Sequence, residues 1–167
     1  IGDSLFASSS NSIYEIELTD NKTSGESWEN RTSGTTNNLN GVTYGNGTYV
    51  SVGNSGTVLT SSDGTTWTKV TATYTNDNGS TETPSFNDVT YGNGTFVAVN
   101  PNGIILMSTD VTSSWHPRTS GTTNDLNGVT YGNSTFVSAG NSGTILTSSD
   151  GTTWTKVTAT YTNDNGS

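Results

Sequence analysis

The side chains best suited to chemistry in this 167-residue sequence are few: Arg31, Arg118, His116 and fourteen acidic residues. A Ser-His-Asp arrangement would have to use His116, the only histidine, as its base. Glycoside hydrolysis needs two carboxylates facing one cleft. Glu15, Glu17, Asp20 and Glu26 instead crowd into one short segment, which reads as a solvated strand and turn. Asn76-Asp77-Asn78-Gly79-Ser80-Thr81-Glu82 offers oxygen ligands around a glycine. Its spacing departs from the D-x-[DN]-x-[DN]-G of a calcium loop, so it reads as a polar insertion. Cysteine is absent, which removes disulfides and Cys-ligated metal. The expectation is a chain with no catalytic residue, no metal and no cofactor. Candidate binding residues remain in Arg-Thr-Ser-Gly-Thr-Thr-Asn, which occurs at 31–37 and again at 118–124. They are Arg31, Asn37, Arg118 and Asn124.

What must position these residues is a repeat. Trp28–Ser80 matches Trp115–Ser167 at 46 of 53 positions without a gap, and fixed-period self-similarity marks solenoids, propellers and arrays. His116 falls where the sister copy has Glu29, so it reads as a surface side chain. A smaller unit lies inside. Val42-Thr43-Tyr44-Gly45-Asn46-Gly47-Thr48-Tyr49-Val50 returns at 89–97 and at 129–137, and Trp28, Trp67, Trp115 and Trp154 mark unit ends.

Composition sets the class. Hydrophobic residues make up 28% and charged residues 11%, against 34 Thr, 24 Ser, 20 Asn and 20 Gly. Disordered chains of low hydrophobicity are usually charge-rich and poor in aromatics. Here Trp, Tyr and Phe recur at fixed places among Val and Ile. Threonine and aromatics favour strands, while Gly, Asn and Asp favour tight turns. The expected fold is all-β. A net charge of −9 excludes nucleic acid and anionic lipid as partners, because both select a basic footprint. No apolar run reaches the ~20 residues of a membrane span. Seven Asn-x-Ser/Thr sequons follow from the abundance of Asn, Ser and Thr and say nothing of glycosylation.

Each unit reads as four short strands, with Gly-Asn-Gly at 45–47 and Asn-Ser-Gly at 54–56 as hairpin turns. Strand alternation sets Tyr49 and Ser51 on one face and Val50 and Val52 on the other. The expected division is one repeat domain: an incomplete blade at 1–32, blades at 39–72, 86–119 and 126–158, a polar insertion at 73–85, and a C-terminal overhang at 159–167. Four-stranded units of this length are β-propeller blades. The first would lack its first strand.

Ser61-Ser62-Asp63-Gly64-Thr65-Thr66-Trp67 and its copy Ser148-Ser149-Asp150-Gly151-Thr152-Thr153-Trp154 resemble the Asp-box hairpin of sialidase-like propellers. The whole unit is similar to repeats of bacterial extracellular propeller proteins and of the photosystem-assembly-factor type, over residues 39–158. The resemblance weakens at 108–115, where the glycine is missing, and at 19–28. It implies a structural role for Ser61, Asp63, Gly64, Trp67, Ser148, Asp150, Gly151 and Trp154, on the rim away from the active face. It also allows a test of sialidase activity. That family binds its substrate carboxylate through three arginines, and this chain has two. The expectation is a non-enzymatic, extracellular or cell-surface structural or adhesive module. Strand exchange, within the chain or with a neighbouring copy, would complete the trimmed first blade, with Val157–Thr162 as the donor strand, and self-association is the expected partnership. The alternative is a lectin-like propeller whose equivalent sites bind glycan.

Overall fold

The structure, a computed structural model, describes residues 3–9, 12–18, 29–112 and 114–158. Its strands fall into blades. β1 (Asp3–Ser9), β2 (Ser12–Leu18) and β3 (Glu29–Thr32) form a three-stranded antiparallel sheet in that order. β4 (Leu39–Gly45), β5 (Thr48–Gly53), β6 (Thr57–Ser61) and β7 (Thr68–Thr71) form a four-stranded meander. A small hairpin follows, β8 (Tyr74–Thr75) with β9 (Thr81–Glu82), and it occupies the polar insertion. Two further meanders complete the set. One is β10 (Asp88–Gly92), β11 (Thr95–Val99), β12 (Ile105–Ser108) and β13 (His116–Arg118). The other is β14 (Leu126–Gly132), β15 (Thr135–Gly140), β16 (Thr144–Ser148) and β17 (Thr155–Val157). The expected architecture of four-stranded blades is what the chain adopts, and among the described residues the first blade has three strands. The blades form an open series. The overhang at 159–167, Asp20 and Glu26 lie outside the described residues, as do the side chains of Glu15 and Glu17.

Turn chemistry fixes the first hairpin of the second and third blades. Asn46 and Gly47 both take positive φ (51° and 74°), as do Asn93 and Gly94 (47° and 76°). Two left-handed residues in a row give the tight turn whose twist matches antiparallel strands, and Asn-Gly is its preferred pair. The register follows, with Gly45 opposite Thr48 and Gly92 opposite Thr95.

Because β4, β10 and β14 lie side by side as the inner strands, blades bury both faces against neighbours. Val50, Val52, Val58, Phe86, Ala98 and Leu106 are fully buried between the second and third blades. Val97, Val99, Ile105, Leu126, Phe136 and Leu146 do the same between the third and fourth. Strand alternation predicted one apolar face on β5. In fact Ser51 is as buried as Val50 and Val52. Its hydroxyl donates to the Gly41 carbonyl at 3.1 Å, beside a register shift between Leu39 and Gly41. Ser138 repeats the bond to Gly128 at 3.0 Å. A bulge displaces ladder groups, and the buried hydroxyl satisfies one of them.

Two contacts hold one inner strand to the next. The Asn40 side-chain amide donates to the Phe86 carbonyl at 2.7 Å, and Asn87 does the same to Leu126 at 2.8 Å. In addition, the Tyr91 ring lies against Gly45 and the Tyr131 ring against Gly92, so closely that a Cβ on either glycine would enter the ring.

Candidate functional site

In a four-stranded meander, the turns between strands two and three share one face with the segments that cross to the next blade. The remaining turns share the opposite face. The two Arg-Thr-Ser-Gly-Thr-Thr-Asn segments are crossing segments, and each is built from its own side chains. The Ser33 hydroxyl donates to the Thr35 carbonyl at 3.2 Å, and Thr35 Oγ1 accepts the Asn37 N–H at 3.1 Å. Ser120, Thr122 and Asn124 repeat these bonds at 3.0 and 3.1 Å. Gly34 and Gly121 take φ of 69° and 73° at the same place in the turn. The Asn37 amide then donates to Thr57 Oγ1 at 2.8 Å, and Asn124 to Thr144 Oγ1 at 2.9 Å. These two asparagines anchor the segment to the strand beneath.

The arginines differ between copies. Arg31 pairs with Glu29 at 2.8 Å. Arg118 has His116 in place of that glutamate and donates from Nη1 to the Pro117 carbonyl at 3.0 Å. Its Nε is buried without a partner. Arg31 lines an open groove of about 640 Å³ with residues 30–37 and Lys69. Arg118 lines one of about 720 Å³, walled in addition by Tyr74, Asn76 and Asp77 of the insertion hairpin. Identical segments thus sit in unlike surroundings.

On the opposite face stand the Ser-x-Asp-Gly turns. Asp63 Oδ1 accepts the N–H groups of Thr65 and Thr66, each at 2.8 Å, and the Ser61 hydroxyl at 3.0 Å. Asp150 accepts those of Thr152 and Thr153 at 2.8 and 2.9 Å and the Ser148 hydroxyl at 3.0 Å. Gly64 and Gly151 take φ of 74° and 73°. The indoles of Trp67 and Trp154 donate to the carbonyls of those glycines at 2.9 and 3.0 Å. The Thr66 and Thr65 amides, with the hydroxyls of Thr65 and Ser61, hold the Asp63 carboxyl well below the usual carboxylate range. The Thr153 and Thr152 amides, with the Ser148 hydroxyl, lower the Asp150 carboxyl from its ordinary value. A carboxyl whose folded pKa is depressed stabilises the fold above its unfolded pKa, near 4, and loses that contribution as pH falls toward the folded value. Asp63→Asn and Asp150→Asn should therefore melt lower at pH 7 and show a flatter fall in Tm between pH 4 and pH 2. Parallel Tm-against-pH curves for parent and variants would contradict this.

The third turn departs as its sequence suggested. Val111 stands where the glycine would be, and Asp110 Oδ1 accepts the Thr112 N–H at 3.0 Å. The Trp115 indole N–H, in a ring 2% exposed, has no partner.

Sequence reading missed Asp88. It is half-buried at the start of β10 and bridges two inner strands. Oδ1 accepts the Val89 N–H at 2.8 Å, and Oδ2 accepts the Val129 N–H at 2.9 Å. The sister positions are Gly41 and Gly128, and a Cβ on Gly41 would stand 2.8 Å from Asp88 Oδ1. A comparison of copies would have exposed it, since Ala98 also replaces the serine of Ser51 and Ser138 in this blade. Burial raises the Asp88 carboxyl above its ordinary value, against the two N–H bonds that lower it. A carboxyl with a raised folded pKa favours the fold most below its unfolded pKa, near 4, and that contribution is lost as pH rises through the folded value. The stability difference between the parent and Asp88→Asn should accordingly shift against the parent from pH 4 to pH 7. Urea midpoints at both pH values measure it, and a constant difference would contradict it.

His116 is exposed on β13. Asn76 closes the insertion hairpin, its Oδ1 accepting the N–H groups of Asn78 and Ser80 at 3.1 and 2.9 Å. Among the described residues no group of three or more His, Cys, Asp or Glu could hold a metal. Among the described residues no helix is long and apolar enough to cross a membrane.

No family model matches the chain, and no curated protein matches it. Solved structures do. YCF48 bound to D1 peptide superposes with a TM-score of 0.64 at 19% identity, over 93% of this chain and 50% of that one. YCF48 from Cyanidioschyzon merolae gives 0.57 at 16%, over 96% and 58%. Glutaminyl cyclase of Myxococcus xanthus gives 0.56 at 12%, over 88% and 62%. The chain spans about half to three fifths of the length of these structures. At such identities the likeness is one of fold: the chain is a run of β-propeller blades.

Proposed function

We propose that the protein is a non-enzymatic structural or adhesive module, extracellular or at the cell surface, that works by associating through the ends of its blade series. One observation carries this reading. The interfaces between the second and third blades and between the third and fourth each seat a tyrosine on a glycine. Tyr44, facing the incomplete first blade, and Gly132, on the last blade, lack that partner among the described residues. Tyr44 is 57% exposed, and a Cβ on Gly132 would meet nothing within 4 Å. An unpaired strand edge or an unmatched blade face invites another chain, and a head-to-tail contact yields a ring or a filament according to whether its rotation closes.

The absence of enzymatic activity is supported by the use of the distinctive carboxylates in architecture: Asp63 and Asp150 in turns, Asp88 between strands. The Ser-x-Asp-Gly turns read as Asp-boxes with that structural role. Surface location rests on the likeness of the repeat to bacterial extracellular propeller repeats, and surface labelling of cells producing the full-length protein tests it. Light scattering of the intact chain and of a truncation after Lys156 tests association. Unchanged mass together with unchanged stability would sink strand exchange at the C-terminal end.

Glycan binding is the second reading, favoured by the two like grooves along Arg31–Asn37 and Arg118–Asn124. Repeated weak sites gain by avidity. Saturable binding to one sugar class on an array would replace the structural reading, and turnover on a chromogenic glycoside panel would overturn both.

A further inference from the structure

We infer that the free edge of β1 docks one extended segment in which Asn and Gly stand five positions apart. This is the pattern of the protein's own inner strands, and the inference rests on reading the ends as association surfaces. The pattern is Asn40 with Gly45, Asn87 with Gly92 and Asn127 with Gly132. Between the second and third blades and between the third and fourth, the asparagine of one inner strand bonds the carbonyl that opens the next, at Phe86 and Leu126. The glycine five places on receives the next strand's tyrosine, Tyr91 or Tyr131. Applied one step back, the rule makes the Leu39 carbonyl the acceptor and Tyr44 the seated ring.

Tyr44 already holds the seated pose. Its ring lies 4.6 Å from Tyr49 at 49°, against 4.7 Å and 52° for Tyr91 with Phe96 and 4.6 Å and 52° for Tyr131 with Phe136. What differs is exposure: Tyr44 is largely in solvent, while Tyr91 and Tyr131 are partly buried. β1 lies beside β4 as β5 lies beside β10 and β11 beside β14, which is the place of a second strand. With the order β1-β2-β3, the other edge of β1 pairs with no strand among the described residues. A segment added there antiparallel to β1 gains ladder hydrogen bonds, the usual source of affinity in strand addition. The Asn and Gly set its register. Any larger residue at the glycine would meet the Tyr44 ring, as a Cβ at Gly45 or Gly92 would meet Tyr91 or Tyr131.

The test is a fluorescence-anisotropy titration of the intact chain with a labelled octapeptide copying residues 39–46, Leu-Asn-Gly-Val-Thr-Tyr-Gly-Asn. Saturable binding of one peptide per chain is expected. It should weaken about tenfold or more when the peptide's glycine at the Gly45 position becomes valine, and comparably in Tyr44→Ala. Equal binding of the valine peptide, or no saturable binding, would overturn the inference. Light scattering in the same samples separates the two ideas. A chain that associates while ignoring the peptide keeps the association reading and loses this one. A chain that stays monomeric yet binds the peptide with the stated selectivity does the reverse.

Discussion

Gly45→Ala and Gly92→Ala should each cost about 2–4 kcal/mol of stability, while Gly132→Ala should leave it unchanged or raise it by up to about 1 kcal/mol. The three glycines occupy one repeat position, and none takes a positive φ. Backbone strain therefore cannot separate them. What separates them is the next blade. A methyl on Gly45 would enter the Tyr91 ring and one on Gly92 the Tyr131 ring, whereas Gly132 has open space. Neither ring can easily retreat, because Phe96 and Phe136 hold their other sides at ring distances of 4.7 and 4.6 Å. Alanine also narrows the unfolded ensemble relative to glycine, which alone would stabilise. At Gly132 that term acts unopposed. Urea unfolding of the three variants measures the contrast, and equal midpoints would mean that the tyrosine seating contributes nothing.

Phe86→Ala should cost about 3–5 kcal/mol, the range for deleting a buried aromatic ring. Phe86 is fully buried and is where the polar insertion returns to the core. Its ring meets Trp115 at 5.3 Å and packs among Val50, Val52, Val58 and Ala72. Its backbone accepts from Asn40 at 2.7 Å and donates to Gly53 at 3.2 Å. Alanine keeps those backbone bonds, so the loss isolates side-chain packing between the second and third blades. A domain holds only about 5–15 kcal/mol in total, and the variant should melt far below the parent by near-ultraviolet circular dichroism. A cost below about 1 kcal/mol would place the core elsewhere.

Blades and turns were legible because each is written locally. Asn46-Gly47 dictates a turn that needs two left-handed residues, and Ser61, Asp63, Gly64 and Trp67 close a turn with bonds no longer than three residues in reach. Repetition then extended one blade to the others. Contacts between blades were not legible, because they depend on how neighbouring units meet. Ser51 reads as a polar residue on the strand face opposite Val50 and Val52, and only the folded blade, with the bulge at Gly41, buries it and gives its hydroxyl a partner. Asp88 looked like one more acidic residue, and only the approach of β14 makes it a bridge. Arg31 and Arg118 were noticed as a pair because their segments are copies. Their surroundings diverge through Glu29-Asn30 against His116-Pro117 and through the insertion hairpin, which lies beside the second copy alone. Asn37 and Asn124, also singled out, bond to the strand beneath through their amide groups.

The account as a whole turns on the two unmatched ends. Sedimentation of the intact chain beside Tyr44→Ala and Gly132→Val, across a range of concentrations, examines both at once. The parent should grow with concentration into multiples of the single-chain mass, while each variant stays a single chain with its fold intact. A parent that remains one chain throughout, or variants that associate as fully as the parent, would contradict it.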